Sequence, residues 1–301
     1  MTVQLIEPNQ TIEVKQICLL GYGQPGSRKS SLAQTSEEPV TLAFDPGIYR
    51  AYGRKTAAIF ETWSDVLDFD YKPYRTIIVD TIGMALDKLS AAIIADNPKN
   101  GNRLGGLSLP GYGILKSWFA AWVADIRQRG QDLVFLAHEK AERLGDDVYY
   151  CPDVVGGSYN TLMNHCDVVG YLHFEAGRRV IDFNPTDRWM AKVPPCGWGQ
   201  INLPDFGTEP RFLAKLLAEA KASMGRISAE SAELVQAVEN FRAWLEKKPS
   251  LEAFNTGIKD VKTLANGAQK QAWHLCKNFA ESQGWVFDPQ AKAFRAKEQA
   301  A

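Results

Sequence analysis

The stretch Leu20-Gly21-Tyr22-Gly23-Gln24-Pro25-Gly26-Ser27-Arg28-Lys29-Ser30-Ser31 holds the residue types that cradle a phosphate. Gly23 and Gly26 let the backbone curl, so that successive N–H groups face an anion. Lys29 would reach the β and γ phosphates, and the Ser30 hydroxyl would hold Mg²⁺. Gln24, Pro25, Ser27 and Ser31 fill out the loop. The spacing follows G-x-x-x-x-G-K-[ST] from Gly23 to Ser30 except at Arg28, where the pattern has Gly. Gly is used there because a side chain would strain the loop or collide with the ligand. Arg28 either points outward, adds a cation at the phosphates, or cripples the site. The same residues also suit an ordinary Gly/Pro turn between a strand and a helix.

A second element bears on the same chemistry. Thr76-Ile77-Ile78-Val79-Asp80 is an apolar run ending in a carboxylate. A buried parallel strand of this kind delivers an Asp to the Mg²⁺ beside a phosphate loop. Taken alone, an apolar strand ending in Asp is common, and Asp80 also reads as the N-cap of the following helix. The two motifs together point to ATP and Mg²⁺ as the ligands, with Ser30 and Asp80 on the metal.

These residues need a scaffold, and the chain has the pattern for one. Gln16 to Leu20 reads as a buried strand leading into the loop, with a short helix from Lys29. Further strands are expected at Val40–Phe44, Ala57–Phe60, Leu133–Ala137, Val168–His173 and Arg179–Phe183. Helices are expected near Ser64–Phe69, with Ser64 as cap, over Ile82–Asp96, and over the apolar face formed by Ile114, Leu115, Trp118, Phe119, Trp122, Val123 and Ile126. Strands alternating with helices predict an α/β fold with a mainly parallel sheet covered on both faces. Asn97–Gly113 and Glu139–Gly157 read as long loops, of the kind that carry function in compact domains. Beyond Pro210 the composition shifts to amphipathic helices (Phe212–Met224, Ala229–Lys247 with Ser228 and Ser231 as capping residues, Ala268–Gln283) and a terminal hairpin around Trp285–Phe287 and Ala293–Phe294. Two regions follow: residues 1–209 as a nucleotide-binding core and 210–301 as a helical appendage.

Composition narrows the partners. The chain has 301 residues, 45% hydrophobic and 23% charged, with a formal net charge of −1. A balance this neutral leaves nucleic-acid binding to local patches. The five cysteines are odd in number and form no C-x-x-C, which fits a reducing cytosol and argues against a disulfide framework or a zinc site. No apolar run reaches bilayer length and no N-terminal segment has a basic start followed by an apolar core, so no signal peptide is expected, and a cytoplasmic protein without a membrane partner is expected.

With these motifs in order, the chain resembles the RecA-core P-loop ATPases. More narrowly it is similar to phage-encoded ATP-binding recombination proteins of the single-strand-annealing (Sak) type. The similar stretches are Tyr22 to Gly26 with Lys29 to Ala33, Ile78 to Gly83, Ala137-His138-Glu139-Lys140, and Asp167 to Leu172. The resemblance covers roughly residues 15–206, and Arg28 departs from it. It implies a RecA-like core and an ATPase that depends on single-stranded DNA. In a phage setting it implies residence in the host cytoplasm.

It also implies roles by position. Asp45 would orient the attacking water, although it is equally the first residue of a Pro-Gly turn. His138 and Glu139 would sense the γ-phosphate. The two long loops would contact DNA through Lys99, Arg103, Lys140 and Arg143, with Tyr112, Tyr149 or Tyr150 stacking on bases. Lys192 would reach a neighbouring subunit's ATP in a ring or filament, or it is a solvated surface lysine. A single-strand-binding protein is a further candidate partner. A second reading stays open: a degenerate P-loop module, disabled for hydrolysis by Arg28, that works by binding DNA or a partner protein.

Overall fold

The computed structural model describes residues 5–145, 147–154 and 157–297. Two compact units appear: residues 14–224, and residues 225–297 together with 5–13.

The first unit is built on a mainly parallel sheet. Its strands are β1 (Cys18–Gly23), β2 (Pro39–Ala43), β3 (Ala57–Ile59), β4 (Thr76–Asp80), β5 (Asp132–Leu144), β6 (Asp147–Pro152), β7 (Val168–Glu175), β8 (Arg178–Asp182) and β9 (Gln200–Asn202). They lie in the order β3-β2-β4-β5-β1-β7-β8-β9, with β6 paired on β5. The six strands from β3 to β7 are parallel to their neighbours, while β6, β8 and β9 are antiparallel additions. In this order β5 separates the loop strand β1 from the Asp80 strand β4.

Helices cover both faces, and strand alternation decides which residue meets which layer. Cys18, Leu20 and Tyr22 of β1 face one core, with α2 (Trp63–Asp68), α3 (Ile82–Asp96), α4 (Leu109–Gln128) and α5 (Gly157–His165). Leu19 faces the other, with α1 (Lys29–Ala33) and the first turns of α6 (Phe212–Glu246). Burial on both sides is why these strands read as continuous apolar runs.

Several elements depart from the sequence reading. The cap of α2 is Thr62, which exchanges bonds with Asp65 in a capping box; Ser64 lies inside the helix. Helix α4 starts at Leu109, capped by Ser108, so Tyr112 sits in a first helical turn and the preceding loop is shorter. Glu139–Gly157 contains a hairpin, because β5 runs on past His138 and pairs with β6 from Glu139↔Pro152 to Leu144↔Asp147. Gly145, at φ 68°, supplies the left-handed residue that the turn needs. Asp146, Val155 and Gly156 of that segment lie outside the described residues.

Helix α6 replaces the two helices expected on either side of Gly225. A mid-helix Gly costs about 1 kcal/mol, and the turns before it are buried in the first unit's core. Leu213, Leu216, Leu217 and Ala220 belong to the first unit's core, so that unit runs past Pro210 to Met224. Ser228 is no cap: its Oγ accepts the Ile12 N–H at 2.7 Å.

The second unit adds α7 (Leu251–Gly257), a 3₁₀ segment (Ile258–Thr263), α8 (Asn266–Ser282) and the hairpin β10 (Trp285–Asp288) with β11 (Ala293–Ala296). Its core centres on Phe254, ringed by Trp244, Phe279, Trp285 and Phe294. Asn255 locks the hairpin by donating to the Phe294 carbonyl and accepting its N–H.

Candidate functional site

The loop Gln24–Arg28 leaves β1 at the carboxyl edge of the sheet. Gly23 is required by close approach: a Cβ there would run into the Leu172 carbonyl of β7. Gly26 adopts φ +82°. Arg28 adopts φ 68° and ψ 27°, the left-handed region, immediately before α1. The position therefore has the backbone that favours Gly, and an L-residue in it costs about 1–2 kcal/mol. The Arg28 side chain is exposed and borders the cleft, so it neither blocks the cradle nor is buried by it. Helix α1 has only five residues, which leaves most of the anion binding to loop N–H groups and Lys29.

Lys29 is buried against the loop. Its Nζ donates to the Gly23 and Gln24 carbonyls, each at 2.8 Å. Burial lowers its pKa to about 8, against the pull of Asp80, Glu139 and Asp45 in the other direction. The Ser30 Oγ donates to Asp80 Oδ2 at 2.6 Å, joining the two motifs directly. Burial raises the Asp80 carboxyl above its usual range, opposed by the Ser30 hydrogen bond. These residues face a cleft of about 460 Å³ also lined by Asp45, Arg50, Tyr52, Thr81 and His138.

Asp45 opens the Pro-Gly turn and also reaches the cleft. Its Oδ1 accepts the Gly47 N–H at 2.6 Å in the Pro-Gly turn, and its side chain borders the cleft. His138 and Glu139 part company, since adjacent strand residues face opposite sides. His138, in register with Gly23, borders the cleft. Glu139 turns to the opposite face, where it accepts the Tyr171 hydroxyl at 2.7 Å.

Lys192 pairs with Val169 at the edge of β7, and its Nζ donates to the Cys166 carbonyl of its own chain at 2.7 Å. It does not border the cleft of the same chain. The sequence reading missed Arg50 and Tyr52. Tyr52 offers an exposed ring at the cleft, with its N–H held by Ser31 Oγ at 3.0 Å. The available signal was an aromatic-basic run, Tyr49-Arg50-Ala51-Tyr52, just after the Asp45 turn.

A second cleft of about 540 Å³ shares Thr81 and His138 with the first. Tyr112, Asp87, Asp153 and the Gly105–Leu107 segment border it. Lys99 and Arg103 are exposed beyond it. In the hairpin, Lys140 is paired with Glu142 at 2.9 Å, Arg143 is exposed and Tyr149 is half-buried. Tyr150 belongs to an aromatic core, stacked on Tyr171 at 5.9 Å.

The Ser30–Asp80 pair fits Mg²⁺: both are hard oxygen donors at one edge of the cleft. Among the described residues no cluster of three or more His, Cys, Asp or Glu could hold an ion alone. That suits a metal that takes most of its ligands from phosphate oxygens and water. When bound there, the ion would neutralise charge on the phosphates. Lys29 would bind the same oxygens, and His138 and Asp45 border the same cleft.

A parallel sheet with this loop, Lys29, and a carboxylate on the Ser30 hydroxyl defines a P-loop nucleotide-binding fold. The chain belongs to the AAA domain family, whose model matches residues 15–194. A search of curated proteins finds no match. Among solved structures the chain is similar to a KaiC-like protein of the hyperthermophilic archaeon Pyrococcus horikoshii. The identity is 11% and the TM-score 0.36, over 62% of this chain and 89% of that one. Among the described residues, no helix is long and apolar enough to cross a membrane.

Proposed function

We propose that this protein is an ATPase that binds Mg·ATP in the Lys29 cleft and promotes annealing of single-stranded DNA, as a phage-type recombination protein. The observation that carries the nucleotide half is the Ser30–Asp80 hydrogen bond beside the buried Lys29. Lys29 and the loop hold the triphosphate, Ser30 and Asp80 hold the metal, and Tyr52 gives the base an aromatic face. The DNA half rests on β5, one strand that passes His138 in the cleft and continues into a hairpin bearing Lys140, Arg143 and Tyr149. Lys99, Arg103 and Tyr112 supply the other contacts. A γ-phosphate contact at His138 would be relayed along that strand to the hairpin.

The test is ATP turnover with and without single-stranded DNA. Stimulation by DNA, abolished in Lys29→Ala, is expected. Turnover indifferent to DNA would end the recombination reading while keeping the ATPase.

The active form in this reading is a ring or filament with ATP between subunits. Mixing Lys192→Ala with Lys29→Ala protein should then restore part of the activity. Failure of folded, mixing proteins to do so would count against it. A single-strand-binding protein is a further partner on this reading.

A second reading is favoured by Arg28 in its left-handed conformation. The loop would keep its fold, bind nucleotide weakly and act through DNA or protein contacts. Absence of Mg²⁺-dependent binding at millimolar ATP would select it.

A further inference from the structure

The phosphate loop is gripped from outside. Strands β7 and β8 form an antiparallel pair in which Phe174 lies opposite Arg179. The Arg179 Nε donates to the Gly26 carbonyl at 3.2 Å, and its guanidinium carbon stands 5.0 Å from the Phe174 ring centroid. The backbone behind it is fixed as well, since the Arg179 carbonyl accepts the Leu203 N–H at 2.9 Å. Gly26 needs such a hold. It sits in the left-handed region with no atom within 4 Å of where a Cβ would be, so nothing else packs against that side of it.

We propose that Arg179 is a positioning residue of the P-loop, holding the Gly26 peptide in place against the backbone strain that Arg28 introduces two residues later. The inference rests on the nucleotide-site reading for its purpose, but its physical content is a property of the loop alone. A loop with Gly at 28 would adopt the left-handed conformation at little cost. A loop with Arg there gains by relaxing to other conformations, and an external bond to Gly26 opposes that relaxation. The guanidinium suits the task. It is permanently charged, it presents a planar fork of donors, and its remaining N–H groups stay available to solvent or ligand. Its stacking on Phe174 limits the orientations it must give up on bonding.

The consequence is a coupling between positions 179 and 28, which a double-mutant cycle measures. The full chain is used as Arg179→Ala, Arg28→Gly, the double variant and wild type, with thermal melting to confirm folding. Amide hydrogen exchange of Gly26, Ser27 and Arg28 is read without nucleotide, with the Ser27 N–H, bonded to the Gln24 carbonyl at 3.3 Å, as the chief reporter. Arg179→Ala should speed exchange there about tenfold, the scale of one charged hydrogen bond in a part-exposed setting. In the Arg28→Gly background the same substitution should change exchange less than about threefold. Arg179→Lys, which retains a cationic donor, should recover part of the protection.

Titration with Mg·ATP should follow the same pattern, with Kd raised about tenfold by Arg179→Ala only where Arg28 is present. Unchanged exchange in Arg179→Ala, or an equal change in both backgrounds, overturns the proposal. Loop exchange coupled as expected in a protein that binds no ATP would instead sustain it and overturn the nucleotide reading.

Discussion

Burial holds the Lys29 ammonium at about 8 in the nucleotide-free chain, so raising the pH removes the charge that a triphosphate requires. With phosphate oxygens against it, the same ammonium is stabilised and its pKa rises; binding is then linked to proton uptake. The sign follows directly. At about pH 7 the free protein is roughly nine-tenths protonated at Lys29, and at about pH 9 only about one-tenth is. The bound state stays protonated throughout, so the apparent Kd should rise about tenfold between those values, or about 1.4 kcal/mol.

Calorimetry in buffers of different ionisation heat, run at about pH 8, should also report roughly half a proton taken up per nucleotide. The control is Lys29→Arg, whose guanidinium does not titrate in this range; its affinity should lose the pH dependence whatever its absolute value. A Kd that stays flat in wild type, or that shifts equally in Lys29→Arg, would refute the reasoning. The nucleotide-free chain carries the mirror effect. The unfolded chain binds more protons at Lys29 between about 8 and 10.5, so this group's contribution to stability rises with pH through that window.

Three further outcomes are expected, the second of them on the DNA-binding proposal. Arg28→Gly removes a left-handed L-residue and should raise ATP turnover, while melting shows a stability change within about 1 kcal/mol, because relief of strain is offset by the flexibility of Gly in the unfolded chain; a fall in turnover would make Arg28 a working cation. DNA affinity, read by fluorescence anisotropy across a salt series, should fall with a slope of roughly −0.7 per phosphate contact. Because Lys140 is already paired with Glu142, Lys140→Ala should leave the slope nearly unchanged, whereas Lys99→Ala with Arg103→Ala should flatten it; the reverse pattern would remove those two from the interface. Phe254→Ala empties the centre of the second unit's aromatic core and should cost about 3–5 kcal/mol by denaturant unfolding, and a loss below 1 kcal/mol would show that the ring does not organise that core.

The phosphate-loop motif and its partner carboxylate were legible in the chain because their parts are local. Gly23, Gly26, Lys29 and Ser30 lie within one turn of backbone, and Asp80 ends an apolar strand whose partners on both faces force its composition. The mainly parallel sheet, helices on both faces and the terminal hairpin were legible for the same reason, since periodicity records burial.

What the residues alone left open depends on non-local geometry. Whether His138 or Glu139 meets the cleft is decided by the register of β5 against Gly23. A change of one residue would exchange their faces. The Glu139–Pro152 hairpin hid behind the charged residues of its outer part, because the solvent-facing stretch of an antiparallel ribbon need not be apolar. The continuity of α6 through Gly225 is a tertiary override of propensity, made by core leucines in the first unit and by further packing in the second. Arg179 carries no sequence signal at all: only the pairing of β7 with β8 delivers it to the Gly26 carbonyl, a contact between residues 153 positions apart.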